Sequence, residues 1–173
     1  TKDEVASELP PKTILIHPIE LNTGQKDLYE TVRATMDRRV RQAIAAQGIE
    51  QSRIVFLDAL LKLRQICCDP RLLGMREANE LASAKLDYLI ELLDMLVKEG
   101  RRVLLFSQFT TMLDIIDDYC VMRGFKYARL DGSTNRVQRM VSVNMFNAPE
   151  SDQFLFIMST RAGGLGINLQ SAD

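Results

Sequence analysis

The sequence holds a single histidine, His17, and an odd number of cysteines, three, of which Cys67 and Cys68 are adjacent. One imidazole cannot build a multi-histidine metal centre, and nothing else in the pattern points to a Ser-His-Asp triad. Two neighbouring thiols fit neither a disulfide framework nor a zinc spacing. Long apolar runs are missing as well. No stretch approaches the eighteen or so residues a membrane helix needs, and no charged-then-apolar leader is present, so the expectation is a reducing, intracellular compartment and no membrane partner. An excess of positive charge is also lacking: Lys plus Arg is 22, Asp plus Glu is 23 and the net charge is −1. Any contact with nucleic acid would therefore be local. Arg33, Arg38, Arg39 and Arg41 cluster, as do Lys98, Arg101 and Arg102; such runs read as solvated helix faces. There is no GxxxxGK phosphate loop, and GLGINL (164–169) lacks the third glycine of a dinucleotide fingerprint. Internal repeats and low-complexity tracts are absent.

What is present suffices for one α/β domain with a helical appendage, since 173 residues can bury roughly 70% of the surface of the unfolded chain. Residues 1–11 are polar, end in Pro10 and Pro11, and read as a linker. TILIHPIEL (13–21) is rich in β-branched residues, but Pro18 restricts it to an edge strand or an extended arm. Asn22 and Gln25 have capping-box spacing, and Leu28, Val32, Met36, Val40 and Ile44 recur with helical period until Gly48. A second helix, from Gln51 or Ser52 to Pro70, places Phe56, Leu60, Leu63 and Cys67 on one face, with Cys67 as a small core residue. The two make a helical hairpin or protrusion. Residues 74–81 read as a loop. Ser83 then caps a strongly periodic helix that carries Leu86, Leu89, Ile90, Leu93 and Leu96 and closes at Gly100.

From here the pattern becomes strand, helix, strand, helix, strand: strands at 103–106, 125–130 and 154–158, helices at 110–122 and from the Asn135–Gln138 capping box to Asn147. Short connections between them predict a parallel sheet. The last strand, FLFIM (154–158), is wholly apolar, which predicts cover on both faces. Ser159, Thr160 and Arg161 follow it, then Gly163, Gly164 and Gly166. Beyond the carboxyl end of a parallel strand, small hydroxyls and a glycine loop whose backbone takes left-handed conformations would expose amides to an anion. A tight turn with no ligand is the alternative reading of such a loop.

Three blocks thus end three successive strands: VLLFSQF (103–109), RLDGST (129–134) and STRAGGLGINL (159–169). In this order they resemble the second RecA-like lobe of the Swi/Snf-type DNA-translocating ATPases of helicase superfamily 2. The first is similar to motif IV, the last to motif V and LDGST to the block between. LLKLRQICCDPRLL (60–73) and SAKL (83–86) resemble the family's helical lead-in. The resemblance implies an α/β, RecA-like parallel sheet with flanking helices over 82–173, preceded by an arm and helical protrusion over 12–81. Residues up to Leu105 are similar to bacterial members and those from Asp118 to imitation-switch remodellers. The expected location follows the host: nucleus in a eukaryote, cytoplasm in a bacterium.

By resemblance, Ser159 and Thr160 match DNA-side positions of motif V, and Gly166 and Asn168 its nucleotide side. Ser107, Gln108, Gly132, Ser133 and Thr134 match positions that meet one DNA strand, with Arg136 beside them. The implied partners are the backbone of double-stranded DNA, the first RecA-like lobe, and a larger target such as a nucleosome or RNA polymerase. ATP and magnesium belong to the complete motor. The P-loop and the acidic motif are those of the first lobe, and the chain stops before motif VI with its arginine finger, so no catalytic residue is assigned and this fragment alone is expected neither to hold the cofactors nor to hydrolyse ATP. Two other classes fit the bare pattern: a protein-interaction module on an α/β scaffold, and a lobe of another α/β nucleotide-binding enzyme.

Overall fold

In the computed structural model, residues 13–164 and 166–172 are described; the linker expected at 1–11 lies outside them. Residues 13–21 form an extended arm without ladder partners, not an edge strand. Ile14, Leu15 and Ile16 stand exposed, and the His17 ring tilts against Tyr88 at 5.7 Å between centroids. Helix α1 (Thr23–Gln51) begins at Asn22, whose side chain accepts a hydrogen bond from the Gln25 amide, and it kinks at Gly48, where φ is 81°. Helix α2 (Arg53–Cys68) returns beside it. At the turn the buried Ser52 hydroxyl donates to the Gly48 carbonyl at 2.7 Å.

The capping box expected at Asn22 is only half formed, because Gln25 is used elsewhere. Its side chain is fully buried. Its Nε2 donates to the Ile66 carbonyl in α2 at 2.6 Å, and its Oε1 accepts from the Ala84 amide at 3.2 Å. One carboxamide thereby joins three helices, the third being α3 (Ala84–Lys98). The face of α2 that is buried carries Ala59 and Ile66, whereas Phe56 and Leu60 are exposed, so the expected core face is rotated. The main neighbour of α2 is α1, which covers one narrow stripe of it.

Pro70 ends α2, and the buried Asp69 caps the 3₁₀ turn Pro70–Leu73. Its carboxylate accepts from Nε and Nη2 of Arg71 at 2.9 and 2.8 Å. The segment expected as loop at 74–81 holds a second 3₁₀ turn, Glu77–Glu80, seated on buried Ala78. Ser83 caps α3 as expected, accepting from the Leu86 amide and donating to the Cys68 carbonyl. Gly100, with φ of 70°, turns the chain out of the helix.

The sheet comprises β1 (Val103–Ser107), β2 (Tyr127–Leu130) and β3 (Leu155–Ser159), all parallel, in the order β1-β3-β2. Helix α4 (Thr110–Arg123) links β1 to β2, and α5 (Arg136–Asn147) links β2 to β3. The last strand in sequence is the central one, which is why it alone is buried along its whole length. Its side chains alternate between two cores. Leu155 and Ile157 face Leu93, Leu113 and Ile116 of α3 and α4; Phe156 and Met158 face Phe146 of α5 with Ala128 and Leu130 of β2. Fully burying side chains of this size contributes about 1.5–3 kcal/mol each.

Arg102 does not belong to a solvated basic face as expected. Its guanidinium donates to the carbonyls of Phe146, Ala148 and Ser151 and lies 5.6 Å over the Phe146 ring, closing the turn that leads into β3. Cys120 is fully buried, and that burial pushes its thiol up to about 11. It is a small core residue rather than a nucleophile.

Gln25→Leu keeps the volume of the buried side chain while orphaning the Ile66 carbonyl and the Ala84 amide. The expected loss is about 2–4 kcal/mol, read as a lowered urea midpoint, with faster hydrogen exchange at the Ala84 amide. A loss below roughly 0.5 kcal/mol would show that water replaces both bonds.

Candidate functional site

Because the strands are parallel and in register, with Ser107 paired to Ser159 and Leu130 to Met158, their carboxyl ends lie along one rim. All three blocks leave the sheet there. At the end of β1 the Ser107 hydroxyl donates to the Phe109 carbonyl at 3.2 Å and accepts from its amide at 3.1 Å, folding the loop into a tight turn. Gln108 projects from that turn and is exposed. Its Oε1 accepts from Nη2 of Arg64 in α2, 44 residues away.

At the end of β2 the organiser is Asp131, a residue to which sequence reasoning gave no role. Its Oδ1 accepts from the amide and the hydroxyl of Ser133 at 2.9 and 2.6 Å, and its Oδ2 accepts from Arg129 Nε at 3.0 Å. Arg129 also reaches Asp114 in α4 at 2.6 Å. The Thr134 hydroxyl accepts from the Asp131 amide at 3.1 Å, leaving Gly132 and Ser133 exposed at the tip. Donation from the Ser133 hydroxyl and amide, with Arg129 adding to it, holds the Asp131 carboxyl below the usual carboxylate range. Arg136, the first residue of α5, is exposed beside this tip. The Asn135–Gln138 capping box is complete, with both reciprocal bonds formed.

At the end of β3 the chain does not pass straight into a string of left-handed glycines. It first makes a helical turn, α6 (Thr160–Gly163), capped by Ser159. The Ser159 side chain is buried and accepts from the Ala162 amide at 3.2 Å, so this hydroxyl shapes the rim. Thr160 and Arg161 face solvent. Of the three glycines only Gly166 has positive φ, 67°. Gly163 is required for close approach instead: a Cβ there would lie 2.6 Å from the Phe106 ring. Gly166 and Asn168 are exposed, and Leu165 lies outside the described residues. Asn147, at the end of α5, ties down the last residues of the chain's described part, donating to the Asn168 carbonyl at 2.9 Å and accepting from the Ser171 amide and hydroxyl.

The rim thus offers exposed hydroxyl residues at Ser133 and Thr160, an exposed carboxamide at Gln108, the guanidinium groups of Arg136 and Arg161, and an open backbone at Gly132. These groups are donors, suited to oxygens that only accept. A groove of about 780 Å³ between the arm, α2, α3 and β1 has Ser107 and Gln108 at its lip, but neither Gly166 nor Asn168 lines it. No group of three or more His, Cys, Asp or Glu is placed to hold a metal among the described residues, and no helix there is long and apolar enough to cross a membrane.

Asp131→Asn should lower stability by about 1–3 kcal/mol at pH 7, as expected for losing hydrogen bonds to a charged group. The folded carboxyl lies below its unfolded value, so the wild-type advantage is full above the unfolded pKa and vanishes as pH falls through the folded one. Urea unfolding at pH 7 and near pH 2 should show the gap closing; a gap that persists in acid would assign it to packing.

Comparison with known proteins places these features in a family. Residues 84–173 match the helicase conserved C-terminal domain, and residues 1–72 match the SNF2-related domain. The chain is 38% identical to the human SWI/SNF-related matrix-associated actin-dependent regulator of chromatin subfamily A member 1, over 99% of this chain and 17% of that protein. It is 36% identical to the ISWI chromatin-remodeling complex ATPase ISW1 of Saccharomyces cerevisiae, over 99% of this chain and 16% of that protein. It therefore spans about one sixth of these relatives. The fold matches the Sulfolobus solfataricus SWI2/SNF2 ATPase C-terminal domain with a TM-score of 0.73 at 26% identity, covering 88% of this chain and 65% of that one. It also matches the ATPase core of the same organism solved in complex with dsDNA, with a TM-score of 0.72 at 25% identity, covering 89% of this chain and 32% of that one. The chain therefore belongs to the helicase conserved C-terminal domain family, with residues 84–173 forming part of the second RecA-like lobe of a Swi/Snf-type protein.

Proposed function

We propose that this lobe grips the backbone of double-stranded DNA within an ATP-dependent translocase of the chromatin-remodelling type. The observation that carries the proposal is the alignment of the three blocks on one rim by the parallel register. Gln108, Gly132, Ser133, Thr134, Arg136 and Thr160 form the DNA side. Contacts of this kind fix a protein on a duplex without reading sequence, as a translocase requires. The buried Ser159 supports that surface from below, and Ser107 sets the turn that presents Gln108. Gly166 and Asn168 form the nucleotide side, on the far part of the loop that Thr160 begins. The residues present fit one flank of a nucleotide and no more. ATP, when bound, supplies the free energy that draws two lobes together. A P-loop and magnesium ligands would come from the first lobe, and DNA grip would alternate through differential contacts in open and closed states.

We place the domain division at 82, before α3, the helix that packs on the sheet. The names of these relatives refer to chromatin, and on that ground we take a nucleosome as the larger target, with a nuclear location in a eukaryotic host; nothing favours RNA polymerase over it. The family match sets aside the lobe of an unrelated nucleotide-binding enzyme. A pure interaction module leaves the alignment of the three blocks unexplained.

Duplex binding by the full-length protein should weaken with salt. If this lobe neutralises about three phosphates, it contributes about −2.7 to the slope of log K against log salt. Tight, sequence-selective binding that ignores salt would overturn the reading. Thr160→Ala in the full-length protein should lower the ratio of DNA-stimulated to DNA-independent ATP hydrolysis; an unchanged ratio removes Thr160 from the coupling role.

A further inference from the structure

Gln108 is the one candidate DNA contact whose side chain is held by a residue outside the sheet domain. Its carboxamide has an accepting end and a donating end. A guanidinium has only donors, so the Arg64 Nη2 contact engages Oε1 and does not use Nε2. Phosphate oxygens only accept, so Nε2 is the end that a DNA backbone needs. The turn beneath it is fixed independently by the Ser107 hydroxyl. Arg64 in turn stands on a fixed helix: two residues on, the Ile66 carbonyl receives the hydrogen bond of buried Gln25. The Gln108 carboxamide is thus bonded to the helical lead-in across 44 residues of sequence.

Resting on the reading of Gln108 as a phosphate contact, we infer that Arg64 is a positioning residue for DNA binding, acting through the Gln108 carboxamide. It ties the packing of the helical hairpin to the grip of the rim. Arg64 contributes no phosphate contact of its own. Four proteins separate these roles: full-length wild type, R64A, Q108A and the double variant, with duplex affinity measured by fluorescence anisotropy across a salt series.

The expected result is a rise in Kd of about 3–10-fold for R64A and for Q108A, the size of one ordinary net hydrogen bond. The double variant should be no weaker than Q108A within about twofold, because the two residues act through one contact. The salt slope of R64A should equal that of the wild type. R64K keeps the charge and a donor without the planar fork, and should fall between R64A and wild type; being a milder change, it also serves if R64A alters the fold. Losses that multiply in the double variant, or a slope reduced by about 1 in R64A, would overturn the inference and make Arg64 a DNA contact in its own right. Unchanged binding in R64A would overturn it too. A wild-type protein that fails to bind duplex DNA sinks the proposed function itself, and the positioning role with it.

Discussion

Everything at the rim depends on the burial of β3 from both sides. A strand between two parallel neighbours, with Leu155 and Ile157 in one core and Phe156 and Met158 in the other, cannot slip by one residue without sending each side chain into the wrong core. Register is therefore fixed by packing. Fixed register is what brings Ser107 level with Ser159 and Leu130 level with Met158. Three loops that are distant in sequence become neighbours without needing direct bonds to each other. Each can then be specialised locally: one by a hydroxyl turn, one by a carboxylate, one by a helix cap.

The three loops share a second property. In each, a short polar side chain closes the loop on itself, and the group directed outward is a different one. Ser107 folds the turn that presents Gln108. Asp131 gathers Ser133 and leaves Gly132 open. Ser159 caps the turn that exposes Thr160 and Arg161. Residues that look alike in sequence, small and hydroxylated at a strand end, thus divide into those that build the surface and those that form it.

Much of this was legible from sequence because local rules decide it. The apolar run at 154–158, the capping pairs and the glycine stops gave the central strand, the helices and their ends to within a residue or two. The blocks gave the rim, since a βαβ order leaves strand ends on one side. What escaped is what depends on partners distant in sequence. Gln25 reads as a capping residue until Ile66 and Ala84 come within reach. Arg102 reads as a surface charge until the α5–β3 turn offers three carbonyls. Gly163 reads as conformational freedom, whereas its cause is the Phe106 ring. The buried face of α2 was misplaced because periodicity shows that a helix has an apolar face, not which part of that face finds a neighbour.

The single carboxamide at the foot of the hairpin has a mechanical consequence. From Thr23 to Gln47, before the kink at Gly48, α1 extends about 37 Å at 1.5 Å per residue. Its rotation is restrained near one end, at Gln25. A one-degree swivel at that pivot moves the far end by about 0.6 Å over this length, so the hairpin is a pointer that magnifies small tilts of its base.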